Sequence, residues 1–258
     1  MDHFKTMASE GKMPTERIKP ANFTAEIIDV KDESPITKRF FFKITDQDHF
    51  YFIPGQFIIM ELPIHEKKSK RLRSYSIASE PTGDPYFEVA IVIKEGGLGT
   101  TYLFEEAEIG TQIPVKGPSG KFYLPETLDK EICFICTGTG ITPFRSMLHY
   151  IKSNDVPQPS MNLIFGTRRK SNLLYYDEMK NLEKELDNFN YIPVLSREDS
   201  TEWNGETGYV HKIYEELYKD LRPAEFYLCG WQDMISEARQ RLEDMGYQKT
   251  DVHFESYG

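Results

Sequence analysis

Arg73, Ser74, Tyr75 and Ser76 lie in LRSYSIA, a run of strand-forming residue types. Period-two alternation puts Arg73 and Tyr75 on one face and the two serines on the other. A guanidinium is a planar fork for phosphate, a phenol ring is a flat surface for a heterocycle, and a hydroxyl can serve a ring nitrogen. Taken alone, an Arg and a Tyr on a strand are more often solvated surface. Downstream, Gly96-Gly97-Leu98-Gly99-Thr100-Thr101 separates the strand-like AIVIK from the helix-like TYLFEEA. Glycines clear space for an anion and the first amides of a helix attract one, although a hairpin turn explains Gly96-Gly97 equally well.

Thr137-Gly138-Thr139-Gly140-Ile141-Thr142-Pro143 joins a buried-type strand to a helix, where parallel α/β sheets bind ligands. It lacks the third glycine of a GxGxxG fingerprint. Two glycines beside two hydroxyls still make a cradle for pyrophosphate, with a merely tight turn as the plain reading. Cys133-Phe134-Ile135-Cys136 matches CxxC. Inside an apolar strand its two side chains point to opposite faces, so packing explains it better than redox or zinc chemistry. Cys229 and Gly230 close another strand at the same sheet edge. His149, His211 and His253 have no metal-ligand spacing, and no metal site is expected.

These segments call for two kinds of scaffold. FTAEIIDV, ITKRFFFKI, QFIIMEL, LRSYSIA, YFEVAIVIK and QIPVKGPSGKFYLP are short β-branched and aromatic runs separated by turn residues. They predict an N-terminal antiparallel β-barrel over residues 22–126. Over residues 127–258, EICFIC, MNLIFG, NYIPVLS, AEFYLC and DVHFES alternate with helical patterns. That alternation predicts a C-terminal α/β domain, a parallel sheet with helices on both faces. Residues 1–21 show no periodicity and read as a mobile tail.

Composition narrows the function. The 41 acidic residues outnumber 31 basic ones for a net charge of −10, against a nucleic-acid binder. No stretch approaches the ~20 apolar residues that span a bilayer, so no membrane insertion is expected. Three cysteines make no disulfide framework, and MDHFKTMASEGKMPTERIKP lacks the apolar core of a secretory signal. A reducing, cytoplasmic setting is expected.

RSYS, GGLGTT, the strand–TGTGITPF–helix unit, FGTRRKSNLLY, LSRED, YLCGW and the terminal FESYG occur in the order seen in the ferredoxin–NADP(+) reductase family, which the chain resembles from about Phe23 onward. The resemblance implies FAD on the barrel. Within the RSYS run, Arg73 would bind the flavin pyrophosphate, Tyr75 would stack on the isoalloxazine, and Ser76 would approach its N5. Ile93 and Lys94 match the stretch along the ribityl and adenosine part, and Leu98, Gly99 and Thr100 the diphosphate loop. In the second domain, Thr137 resembles a hydroxyl residue that reaches the flavin. Gly138, Thr139, Gly140 and Pro143 would hold the pyridine nucleotide's pyrophosphate, and Cys229 and Gly230 would line the nicotinamide slot. Ser76, Cys229 and Glu255 are the implied catalytic set, and Tyr257 the aromatic that covers the flavin. Plant-type members end on that aromatic, whereas here Gly258 follows.

The activity implied is hydride transfer from NADPH to FAD, then single-electron delivery to a separate ferredoxin or flavodoxin, an acidic carrier. A fused iron–sulfur domain would need four cysteine ligands, which three cysteines cannot supply. Ser196 and Arg197 after YIPVL match the 2′-phosphate position of NADP-specific members, and Arg168, Arg169 and Lys170 after NLIFG add three cations nearby, which favours NADP(H) over NAD(H). Two alternatives stand beside this: an NADH-dependent reductase component for an oxygenase or cytochrome, and a flavin or nucleotide sensor without turnover. Finally, EKKSKRLR at residues 66–73 carries Lys67, Lys68, Lys70, Arg71 and Arg73, a local positive field suited to an acidic partner.

Overall fold

The computed structural model describes residues 10–16, 18–198 and 203–257. They form two compact units: the chain up to Glu126 together with Thr142–Asp155, and Thr127–Ile141 together with the chain from Val156 onward. Among the described residues no helix is long and apolar enough to cross a membrane.

The first unit is an antiparallel sheet of β1 (Ala21–Ser34), β2 (Thr37–Ile44), β3 (Phe57–Glu61), β4 (Leu72–Ser76), β5 (Tyr86–Val92) and β6 (Gln112–Ser119). Its order is β4-β3-β6-β1-β2-β5. The two ends of that order meet where the Ala78 N–H donates to the Glu88 carbonyl at 2.8 Å, which curls the sheet into a barrel. Alternation explains the strands. In β2 (TKRFFFKI), Phe40, Phe42 and Ile44 are buried while Lys43 is exposed. Phe42 stacks on Phe87 of β5 at 5.0 Å, and Phe23 and Phe50 extend the same aromatic core. Between β5 and β6 lies the short helix α1 (Leu98–Thr101), which runs on into a wider turn at Tyr102–Glu106.

β5 breaks the alternation in an instructive way. In YFEVAIV, Phe87, Val89 and Ile91 face the core, so Glu88 should face solvent, yet it is only 3% exposed. Helix α2 (Thr142–Ser153) covers that outer face. By sequence position α2 follows the first strand of the second domain; by packing it belongs to the first unit. Arg39 grips the Glu88 carboxylate with two bonds (2.7 and 2.9 Å), and Arg145 of α2 approaches it at 3.3 Å. Arg145 also donates to the Ala78 carbonyl (2.7 Å), and the Ser146 hydroxyl to the Ser79 carbonyl (2.7 Å). Residues 12 and 13 also depart from the expected tail. Met13 is fully buried and its N–H donates to the Glu126 carbonyl at 3.1 Å, because a methionine can fill an apolar gap without regular structure around it. Residues 1–9 and 17 lie outside the described residues.

The second unit is a parallel sheet of β7 (Glu131–Thr137), β8 (Met161–Thr167), β9 (Phe189–Leu195), β10 (Glu206–Thr207), β11 (Ala224–Trp231) and β12 (Val252–Tyr257), in the order β10-β9-β8-β7-β11-β12. Helix α3 (Tyr176–Glu185) lies along β9, while α4 (Val210–Leu217) and α5 (Gln232–Met245) pack on the face that carries Cys133, Ile135, Phe226 and Leu228. β9 is an edge over most of its length, and its free groups are blunted. The Tyr191 N–H donates to Glu183 (2.7 Å), Lys180 donates to the Tyr191 carbonyl (3.4 Å), and Pro193 has no N–H.

Glu88 is the charge on which the first unit's outer layer rests. Glu88→Gln leaves two guanidinium groups short of a partner, and breaking a buried pair costs about 3 kcal/mol. We expect a clearly lowered urea midpoint for the barrel, followed by its aromatic near-UV signal. Lys68→Gln, which removes an exposed 3.0 Å pair with Glu61, should move that midpoint by less than about 1 kcal/mol. Equal midpoints for the two variants would contradict the assignment.

Candidate functional site

The first unit places the RSYS run on β4, the strand at one end of the sheet order. Ser74 is exposed and Ser76 only 6% exposed, while Arg73 and Tyr75 are half-buried on the opposite side. Arg73 is held by its own loop: Nη1 donates to the carbonyls of Lys70 (3.0 Å) and Leu72 (2.8 Å). Gly99 of α1 lies against it, since a Cβ there would stand 3.1 Å from Arg73 Nε. The first intrahelical bond of α1 runs from the Thr101 N–H to the Gly97 carbonyl, so the amides of Leu98, Gly99 and Thr100 have no partner within the helix. Thr100 does not point its hydroxyl outward. Its Oγ1 accepts from the Lys94 N–H (3.1 Å) and donates to the Gly97 carbonyl (2.9 Å), which closes the loop. Ile93, 38% exposed, and Lys94 continue past the end of β5.

A guanidinium with free N–H groups, three helix-start amides and a glycine between them suit a diphosphate. Tyr75 pairs in register with Ile58 and packs on the barrel core. Burial pushes its phenol up to about 12, against the pull of Arg73, so the ring stays neutral and flat for stacking. These residues therefore fit FAD.

The second unit's sheet order reverses at β7: β8, β9 and β10 lie to one side, β11 and β12 to the other. Open α/β sheets form a crevice at such a reversal, beyond the strands' carboxyl ends. Thr137 and the turn Gly138–Ile141 follow β7 at this point, and Cys229 and Gly230 end β11 beside it. Backbone contact explains the glycines. A Cβ on Gly140 would overlap the Cys229 carbonyl, one on Gly230 would overlap the Thr137 hydroxyl, and Gly138 adopts φ +55°. Thr137 Oγ1 accepts the Trp231 N–H at 3.3 Å, so this hydroxyl braces the two strand ends. Thr139 is half-buried in the same turn. Pro143 sits in the first turn of α2 and packs with the first unit.

Parallel register aligns Cys136 with Cys229, Cys229 with Glu255, and Trp231 with Tyr257. In-register neighbours share a face, so Cys229, Glu255 and Tyr257 stand together at one end of the sheet. Cys229 is fully buried. Burial pushes its thiol well up and the Glu255 carboxylate adds to this, while bonds from Tyr257 and the Gly230 amide offset part of it. The group is a neutral thiol. Ser76 belongs to the first unit, Cys229 and Glu255 to the second. Gly258 lies outside the described residues. Cys133 and Cys136 point to opposite faces, as strand alternation requires. Cys133 packs with the α4 and α5 side chains, and Cys136 is in register with Cys229.

The cations beyond β8 and β9 are drawn together by their loops. The Arg197 N–H donates to the Arg168 carbonyl (2.8 Å), and the Ser196 N–H and hydroxyl both donate to Thr167 O (2.9 and 3.3 Å). Glu198 accepts from the Lys170 N–H at 2.7 Å. The Arg168 and Arg197 side chains are exposed. Two residues gain a place at the sites that no sequence pattern gave them: Arg145, through its bond to the segment after RSYS, and Trp231, 56% exposed after Cys229-Gly230. Among the described residues, no group of three or more His, Cys, Asp or Glu could hold a metal ion.

Residues 24–123 match the oxidoreductase FAD-binding domain and residues 134–240 the oxidoreductase NAD-binding domain. Together these define a flavin- and pyridine-nucleotide-binding oxidoreductase. Among curated proteins, the chain is 33% identical to ferredoxin–NADP reductase B of Sorangium cellulosum, over 91% of this chain and 97% of that one. It is 27% identical to the anthranilate 1,2-dioxygenase electron transfer component of Acinetobacter baylyi, over 80% of this chain and 58% of that one. The chain belongs to the ferredoxin–NADP reductase family. Solved structures share the fold. An Amycolatopsis cytochrome P450 reductase superposes with a TM-score of 0.83 at 23% identity, covering 93% of this chain and 71% of that one. A Neisseria gonorrhoeae ferredoxin NADP+ reductase with bound FAD and NADP does so with a TM-score of 0.75 at 22% identity, covering 93% and 99%.

All three cysteines are free and buried, and buried thiols react slowly with disulfide reagents. We expect no fast-reacting thiol in the native protein with Ellman's reagent, and three after denaturation. One rapid native equivalent, lost in Cys229→Ala, would show that the β11 end is open to solvent.

Proposed function

We propose that the chain is a reductase that takes a hydride from NADPH onto bound FAD and passes electrons singly to a separate acidic carrier of the ferredoxin or flavodoxin type. The observation that carries the coenzyme choice is the pairing of the Arg168 and Arg197 loops, with Ser196 between them, at the carboxyl ends of β8 and β9. Two exposed guanidinium groups suit a phosphate dianion. The reading also puts the chain in the cytoplasm, where its free cysteines stay reduced.

FAD supplies the chemistry the side chains lack, accepting electrons in a pair and releasing them one at a time. The chain's part is to bind and orient. Arg73 and the amides of residues 98–100 would hold the flavin diphosphate, Thr100 keeps their loop closed, and Ile93 and Lys94 would flank the ribityl and adenosine part. Ser74 and Ser76 would serve the flavin through their hydroxyls, as the family resemblance implies, and neutral Tyr75 would support its ring. Gly138, Thr139 and Gly140, with Pro143 starting α2, admit the nucleotide's diphosphate close to the backbone. Cys229, itself an uncharged thiol, and Gly230 line the nicotinamide slot, with Glu255 and Tyr257 beside them. Thr137 keeps the two strand ends together.

Glu198 favours the second reading, an NADH-dependent reductase component for an oxygenase or cytochrome, because a carboxylate in the same loop opposes a 2′-phosphate. Comparing kcat/KM for the two coenzymes decides between them. We expect NADPH to be preferred, and Arg197→Ala to cost about 10- to 100-fold with NADPH, as for a lost charge-assisted bond, with little change for NADH. A preference for NADH that Arg197→Ala leaves unaltered would sink the NADPH reading.

The carrier surface is narrower than the sequence of residues 66–73 suggests. Glu61 pairs with Lys68 (3.0 Å) and Arg71 (3.6 Å), and Arg73 is turned onto its own loop. Lys67 and Lys70 remain as exposed cations beside the flavin strand. Neutralising both should raise KM for an acidic carrier by about 3- to 10-fold at low ionic strength and flatten its salt dependence. Turnover with an uncharged quinone should be unchanged. An equal loss with both acceptors would mean that the lysines support the flavin site instead.

A further inference from the structure

We propose that Trp231 is a binding residue for the pyridine nucleotide, its indole N–H donating to the diphosphate held over the Gly138–Ile141 turn. The proposal rests on the reading that this turn holds the nucleotide, and adds to it a side chain to which the family resemblance gives no role. Tryptophan joins a large, rigid apolar ring to a single N–H donor, a combination enriched where proteins bind their partners. Trp231 is 56% exposed, at the end of β11 where the sheet order reverses.

Its surroundings are specific. A Cβ placed on Gly138 would meet a single heavy atom within 4 Å, Trp231 Nε1 at 3.9 Å. The indole therefore borders the turn at Gly138, a position that carries no side chain of its own. Its backbone is fixed twice over. The Trp231 N–H is bonded to Thr137 Oγ1 at 3.3 Å, and the residue caps the start of α5 in an extended conformation (φ −67°, ψ 138°). Only two side-chain torsions remain free, so little entropy is lost when a ligand orders the ring.

The second tryptophan makes a control within the same chain. Trp203 donates its indole N–H to the Glu206 carbonyl at 2.9 Å and packs on Gly205. That N–H is committed to the protein. The Trp231 indole N–H meets no acceptor among the described residues, which leaves it for an anion.

The experiment is calorimetric titration of the FAD-loaded protein with NADP+, NAD+ and adenosine 2′-monophosphate, which has no diphosphate. We expect Trp231→Ala to weaken whichever dinucleotide the wild type binds better by about tenfold and to leave the monophosphate unchanged. Trp231→Phe, which keeps a ring and loses the N–H, should fall between. Dinucleotide should quench tryptophan fluorescence in the wild type and in Trp203→Phe, and not in Trp231→Phe. Unchanged dinucleotide affinity in Trp231→Ala overturns the proposal, as does an equal loss for the monophosphate. If the wild type binds neither dinucleotide, the reading of the turn itself fails, an outcome separate from either of these.

Discussion

A carboxylate buried without a counter-charge is among the costliest groups a protein can hold, and Glu88 is buried on the outer face of a barrel strand. Its answer is Arg39 on the neighbouring strand and Arg145 on α2. Since Arg145 also bonds the Ala78 carbonyl, and Ser146 the next residue's, the helix fixes the backbone just beyond Ser76. β4, the strand that carries the RSYS run, therefore cannot move without disturbing the buried charge cluster.

The two candidate phosphate sites are built differently. On the barrel a fixed guanidinium and a helix start converge, and one glycine lets them touch. In the α/β unit the floor is backbone alone, made by glycines on two strand ends so close that a methyl group would not fit. The first arrangement suits a group that stays bound, with formal charge against charge. The second suits a group that must leave, because neutral amides orient a diphosphate without holding it by a full opposing charge. Cys229 continues that logic: a thiol kept neutral by burial presents a soft, uncharged surface.

Much of this was legible in the sequence, and the rest was hidden for identifiable reasons. The alternation of Phe40, Phe42 and Ile44, and the apolar run of β7 ending in TGTG, mark strands directly. Periodicity assigned Glu88 its face but could not show what covers that face, since Arg145 is 57 residues away in sequence. The helix bearing Arg145 follows a strand of the second unit, and since sequence neighbours usually pack together no local pattern shows that it packs with the first. Five cations in residues 66–73 read as one positive loop, whereas Glu61, from another strand, pairs with two of them. β10 has only two residues, too short for any period to register. The exposure of Trp231 depends on the ends of three strands, which no local pattern encodes.

The first unit is discontinuous in the chain: residues up to 126 need 142–155, with strand β7 and its turn belonging to the other unit in between. During synthesis, a barrel finished at residue 126 would hold Glu88 without Arg145 and leave Phe122 without Phe144, its ring partner at 5.7 Å. It must wait in an incompletely covered form until α2 has emerged, and by then β7 has been made as well. The same threading makes limited proteolysis a poor way to isolate either half. The chain passes between units at 126/127, 141/142 and 155/156, so no single cut yields both intact.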